Sequence, residues 1–247
     1  MKNNHKKIKF CKVHKIPYVF VCSECLAPFL KHTSFKSLDE IREYQIKNAK
    51  KVNLKDKMKI YNRIGVIMLK ISGNFAFSGI LLYDIENHKI LRKDFKSTRL
   101  VFNEYFPSVL FLNYLEPYLE LINSIEYLPD CYIVNASGQI HPFRYGLACE
   151  LGLRLNCSVI GYTKKLLYGK LNRIEDNERI LGVFDGDDQI GFAFQKPKSK
   201  KYFYVSVGNN ISLNSVREIF IKLDWNIFSK LSNELSNFAF HNRKINN

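Results

Sequence analysis

Tyr132-Ile-Val-Asn-Ala-Ser-Gly-Gln-Ile-His141-Pro-Phe-Arg-Tyr-Gly-Leu-Ala148 decides how this chain is read. Tyr132 to Val134 is a short aromatic and β-branched run of the kind that fills a buried strand, Gly138 marks a turn, and a helix is expected from about Arg144 to Leu155. The end of such a strand is a usual mount for a reacting group. Asn135 stands there, and its amide carries no charge.

Working outward, Arg63 to Gly73 and Phe75 to Tyr83 read as adjacent strands, Asp84-Ile-Glu-Asn87 as a turn, and Lys89 to Phe95 as a third strand. Val109 to Ile125 has helical spacing. Ser158 to Gly161 is a short strand, Asp185-Gly-Asp-Asp188 a hairpin turn, Tyr202 to Val207 a further strand, and a helix opens near Ser212. A meander of strands followed by alternation with helices implies an α/β architecture with a mixed central sheet flanked by helices.

The front of the chain is different. Cys11-Lys-Val-His14 and Cys22-Ser-Glu-Cys25 form the pattern Cys-x2-His-x7-Cys-x2-Cys, two chelating turns suited to one structural zinc closed on four sides. The alternative is a small core holding reduced cysteines. Cys131, Cys149 and Cys157 are scattered singly in apolar contexts. Ser37-Leu-Asp-Glu40 offers a capping box ahead of a lysine-rich stretch read as a linker helix and solvated spacer. The expected division is a zinc-binding ribbon or knuckle over 1–35, a basic linker helix over 36–59 and a main domain over 60–247.

With 247 residues and 46% hydrophobic composition the chain can bury one sizeable core and a small appended module. No apolar run reaches the length of a membrane span, and the basic N-terminus lacks the pattern of a secretory signal, so an intracellular protein, cytoplasmic or nuclear, is expected. The net charge of +15 is uneven: residues 1 to 60 hold 15 Lys/Arg against 5 Asp/Glu. That points to a polyanion, with nucleic acid ahead of anionic membrane, although a lysine-, asparagine- and isoleucine-rich composition also raises charge by itself.

Val134 to Ala148, Leu151-Gly-Leu, Ile160-Gly-Tyr-Thr-Lys164 and Tyr204-Val-Ser-Val-Gly-Asn-Asn-Ile-Ser-Leu213 together resemble the endonuclease V family over most of residues 65 to 222. The resemblance implies an RNase H-like fold and a nuclease, linked to DNA repair, that cuts a strand near deaminated bases such as inosine. It further implies a divalent ion, Mg²⁺ or Mn²⁺, held by carboxylates. The departures are at those carboxylates. Asn135 and Asn74 stand where the resemblance places metal-binding Asp residues, Asn209 takes a late His or Asp position, and Glu116 is the acidic ligand that survives. Lys164 and His141 match the pattern, and Tyr105-Phe-Pro-Ser108 resembles the family's base-wedging loop with a two-residue difference in its spacing to Glu116. His141 either faces the site or only helps start the following helix. Arg144, Lys164 and Tyr105 are the expected nucleic-acid contacts.

Losing two carboxylates weakens the hold on a hard cation and the activation of its water. A nucleic-acid-binding protein with lost or strongly reduced cleavage is therefore expected, on DNA or RNA. The alternatives are an active nuclease of the same family, and a scaffolding subunit that engages a protein partner through its zinc module.

Overall fold

The computed structural model describes residues 8–102, 104–174, 179–197 and 199–243. The chain begins with a two-stranded antiparallel ribbon, β1 (Lys9–Phe10) and β2 (Pro17–Tyr18), followed by α1 (Ser23–Leu30) and α2 (Leu38–Ala49). Three antiparallel strands come next, β3 (Arg63–Ser72), β4 (Phe75–Asp84) and β5 (Lys89–Arg99), then α3 (Phe111–Asn123), β6 (Cys131–Val134), α4 (Leu147–Leu155) and β7 (Val159–Thr163). The remainder is β8 (Lys170–Arg173), β9 (Ile180–Asp185), β10 (Asp188–Gln195), β11 (Tyr202–Asn209), α5 (Leu213–Lys222) and α6 (Asn226–Arg243).

β3 to β11 form one nine-stranded sheet in the order β5-β4-β3-β6-β7-β11-β10-β9-β8. β6 runs parallel to β3 and β7, and the other pairings are antiparallel, so the sheet is mixed as the sequence implies. One face buries Val66, Met68, Phe77, Ile133 and Phe203 against α5 and α6, whose Phe220, Phe228, Leu231 and Leu235 fill the layer. The other face buries Ile67, Ile80, Val134 and Val159 against α3 and α4. Leu26, Leu30, Leu38 and Ile41 of α1 and α2 join this second layer, so the N-terminal elements share the main core.

Two expectations change and two elements are new. α2 is not a solvated spacer: Leu38, Ile41, Gln45 and Asn48 lie at helical spacing on one buried stripe. Its start is capped as expected, with Ser37 Oγ accepting from the Glu40 N–H at 3.1 Å, while Glu40 reaches back to the Lys36 N–H at 2.7 Å. The helix expected from Arg144 begins at Leu147, because Arg144 adopts a left-handed φ of 54° and Gly146 is the N-cap. β8 and α6 were not anticipated.

The segment between β6 and α4 lies flat on β7 and β11, and two glycines allow it. A Cβ on Gly161 would run into the backbone of Ala136 and Gly138, and one on Gly138 into the Val207 carbonyl. Gly161→Ala is expected to cost about 1–3 kcal/mol of stability through overpacking against backbone, read as a lowered urea midpoint. An unchanged midpoint would mean the segment has room to shift.

Candidate nucleic-acid interface

Asn135 follows the last residue of β6, held in register by its N–H donating to the Ile67 carbonyl at 3.1 Å, and its side chain is exposed. It opens onto a cleft of about 1130 Å³. Lys164 and Lys165, just past β7, line the same cleft, as do Lys170 and Lys9. The β3 positions that reach it are Leu69 and Ile71, and α3 contributes Tyr114 and Tyr118. Among the described lining residues there is no Asp or Glu.

The other residues singled out from the sequence are elsewhere. Asn74 is exposed in the turn between β3 and β4, after Gly73, and β3 itself contains no acidic residue. Glu116 is exposed on α3 and does not line the cleft: Tyr114 and Tyr118, one turn apart, face inward, and a residue midway between them points about 200° round the helix. The two-residue discrepancy in spacing noted above has a physical counterpart here, since moving two positions back from Glu116 reaches Tyr114. Asn209 is buried, with its Nδ2 donating to the Gly152 carbonyl at 3.0 Å and its Oδ1 accepting from the Asn53 N–H at 3.0 Å, so it ties α4 and the segment after α2 to β11.

Arg144 is engaged too. Its guanidinium meets Asp185 at 3.0 Å and Asp188 at 3.4 Å, with Tyr168 donating to the other Asp185 oxygen at 2.9 Å. The Asp185 to Asp188 stretch is the β9–β10 hairpin, and its carboxylates already balance Arg144. Lys164 and Lys165 are exposed in the cleft.

His141 is buried and structural. Nε2 lies 2.9 Å from the Ser108 carbonyl, and Nδ1 accepts the Phe143 N–H at 3.2 Å, which assigns a neutral ring with its proton on Nε2. Burial pushes its pKa down to about 4, opposed by the bond to Ser108. Gln45 Nε2 donates to the same Ser108 carbonyl at 2.8 Å and to that of Tyr145 at 3.1 Å. Ser108, at φ 71°, is therefore pinned from two sides, and the loop before it presents Tyr105 at the cleft with 65% of its surface exposed. Sequence reading missed this carbonyl and the polar Gln45 that holds it.

Cys11, His14, Cys22 and Cys25 converge, with one ligand atom from each lying within 4.8 Å of all the others. Cys11 Sγ is 3.5 Å from Cys25 Sγ, and His14 Nδ1 is 3.6, 3.7 and 3.4 Å from the sulfurs of Cys11, Cys22 and Cys25. Metal–sulfur bonds of about 2.3 Å and metal–nitrogen bonds of about 2.1 Å in a tetrahedron require edges of roughly 3.6–3.8 Å. The set can hold one metal ion. The His14 N–H donates to Cys11 Sγ at 3.4 Å and is the main cause that lowers the Cys11 pKa, to about 6, favouring the thiolate that a metal binds.

A mixed sheet whose central parallel strands end at a basic cleft, with helices on both faces, is the RNase H-like arrangement of nucleic-acid-processing proteins. The chain belongs to the endonuclease V family, whose model matches residues 46–226. Endonuclease V of Thermofilum pendens is 26% identical over 180 residues, covering 72% of this chain and 76% of that protein. The Bacillus subtilis endonuclease V structure superposes with a TM-score of 0.75 at 18% identity, covering 85% of this chain and 95% of that one. Endonuclease V of Ciona intestinalis, solved with a DNA containing an inosine followed by a ribo-adenosine, superposes with a TM-score of 0.65 at 19% identity over 74% of this chain and 87% of that one. The Cys/His cluster precedes the matched residues. Among the described residues no helix is long and apolar enough to cross a membrane.

The pH dependence follows from His141. Its folded pKa is below the ordinary 6.5, so as pH falls through 6.5 the unfolded chain takes up this proton first and stability drops, levelling below about pH 4. The loss is expected to be roughly 3 kcal/mol from this group. In His141→Gln that part of the acid dependence should vanish from urea titrations. A variant with the same slope as the parent would remove the buried imidazole from the account.

Proposed function

We propose that this protein binds a nucleic-acid strand, DNA or RNA, in the cleft without a divalent ion, and that its metal-dependent phosphodiester cleavage is lost or strongly reduced. One observation carries the reading: the lining holds four lysines and, among the described residues, no carboxylate.

The family implies Mg²⁺, and the donors present do not suit it. Magnesium keeps its hydration shell unless carboxylates and phosphates compensate its charge, and Asn135, Ser108, Ser137, Thr163 and the tyrosines are all neutral. Among the described residues, the grouping of three or more His, Cys, Asp and Glu side chains able to share an ion is the N-terminal one. Removing charge stabilisation at one catalytic position commonly slows such reactions by about two to three decades. The active-nuclease alternative rests on Glu116 and His141 acting together, and their placement, one exposed away from the cleft and one buried as a neutral hydrogen-bonding group, lends it no support.

The same neutrality helps binding. Phosphate oxygens would meet Lys9, Lys164, Lys165 and Lys170 with no carboxylate in the described lining, the nearby Asp185 being already paired with Arg144 and Tyr168, and Tyr105 offers an exposed ring to a base. Asn135 acts as a neutral hydrogen-bonding group at the floor. Lys164 also borders a second groove, lined by Lys196 and Asp224. Relatives supply the ligand class: the Ciona intestinalis protein was solved on inosine-containing DNA. Zinc is the proposed ion for the Cys/His set, because three thiolates and an imidazole at tetrahedral spacing are its preferred donors. Thiols kept free suit the reducing interior of a cell, which is the proposed compartment.

Binding to an inosine-containing strand in excess chelator selective for Mg²⁺ and Ca²⁺ is expected to weaken with salt, with a slope of log affinity against log salt of about −3 for four phosphate contacts. Lys164→Glu together with Lys165→Glu should flatten that slope. No cut product should form in Mg²⁺ or Mn²⁺. Turnover at the rate of the family's nucleases, abolished by Glu116→Ala, would overturn the reading. Colorimetric assay should also return one zinc per chain, falling in Cys22→Ser.

A further inference from the structure

We propose that the N-terminal metal module is a second jaw of the cleft, so that metal occupancy sets the affinity for an unpaired strand. The inference rests on the strand-binding reading above and extends it to residues 8–30, which precede the segment matched by the family model.

Three of the residues lining the cleft come from this module: Lys9, Val19 and Phe20. Each lies within three positions of a metal ligand, Lys9 before Cys11, and Val19 and Phe20 before Cys22. The ribbon that carries Lys9 and leads into Val19 and Phe20 is only two residues deep on each strand, too small to hold its shape by its own burial. Phe20 also packs on the second core layer, and coordination by Cys11, His14, Cys22 and Cys25 would lock the ribbon end of the module onto that anchor.

The module also holds the Tyr105 loop. α1 starts directly after Cys22, with Cys25 in its first turn, and further along it Phe29 sits 5.0 Å from the Phe102 ring and 5.3 Å from the Phe106 ring. Those two residues bracket Tyr105 in sequence. A metal that pins the start of α1, whose Leu26 and Leu30 already sit in the core, would therefore act on the cleft twice, through the lining residues it steadies and through the aromatic contact at the loop.

The outer surface of the ribbon suits a nucleic-acid strand. Residues 8 to 21 hold Lys9, Lys12 and Lys15 and no carboxylate, with Phe10 69% and Val13 75% exposed. An exposed ring among lysines is the combination that stacks bases while neutralising phosphates, and base faces are open to stacking in an unpaired strand. Phe20 and Tyr105 line the same cleft, and Phe10 adds an exposed ring on the ribbon beyond it, so the rings on offer suit the open base faces of a strand rather than a duplex.

The test uses the full chain and a fluorescein-labelled single strand, with anisotropy for affinity and a colorimetric assay for metal. Stripping the metal with a strong chelator is expected to weaken strand binding by on the order of ten- to a hundredfold, with zinc restoring it. Far-UV circular dichroism and the melting transition of the stripped protein show whether the main sheet survives. Lys9→Glu and Phe10→Ser keep all four ligands and are each expected to weaken binding about tenfold with metal content unchanged. If these two variants bind as the parent does while Lys164→Glu is impaired, the jaw is wrong and the cleft reading stands. If the parent shows no strand binding at low salt, the reading beneath both fails. Tighter binding of a matched duplex than of the single strand would overturn the assignment of an unpaired partner.

Discussion

Backbone packed directly on backbone is the constraint on which this structure depends. The chain leaving β6 can lie on β7 and β11 only because Gly138 and Gly161 put no side chain between them. That close approach brings Asn135, Lys164 and Lys165 to one cleft. The hydrogen bonds converging on the Ser108 carbonyl from Gln45 and His141 then place the Tyr105 loop at its rim. The scaffold is that of its family, so the chemistry at the site is decided by which side chains the scaffold presents.

Those side chains reverse the electrostatic character expected of a metal-dependent nuclease. A hard cation needs negative charge gathered in one place, and a phosphate needs its absence. Leu69 and Ile71 on β3, Asn135 after β6 and Tyr114 on α3 remove every carboxylate from the described cleft lining while the lysines remain. On the proposed reading, a weaker hold on a divalent ion and a stronger hold on phosphate would be one physical change. The side chains placed to share a metal ion lie at the other end of the hardness scale, three cysteines and a histidine gathered beside the small ribbon.

Much of this was legible in the sequence where a local rule governs. The apolar runs read as β3 and β4, the third strand after the Asp84–Asn87 turn, the Ser37 cap and the close pairing of Cys11 with His14 and Cys22 with Cys25 all report short-range chemistry, and the structure has each of them. Misreadings arose where long-range packing decides. α2 looked solvated because its buried stripe includes Gln45 and Asn48, whose amide nitrogens donate to carbonyls, those of Ser108 and Tyr145 for Gln45. Arg144 looked free because Asp185 and Asp188 lie some forty residues away in sequence. Glu116 drew attention as the surviving acid, yet the helical period of Tyr114 and Tyr118 already pointed it away from the cleft. Asn209 looked like a site residue, and its burial against Gly152 and Asn53 is tertiary information that no local motif carries.

The central claim is that the cleft is too weakly anionic to keep a divalent ion. Titration of the zinc-loaded protein with Mn²⁺ in the absence of nucleic acid, followed by the electron paramagnetic resonance of the free ion, tests it most directly. The account expects the free signal to rise as it does in buffer, with no saturable site at low-millimolar metal and no change in Asn135→Ala. A single saturable site of micromolar affinity, lost in Asn135→Ala or Glu116→Ala, would contradict it.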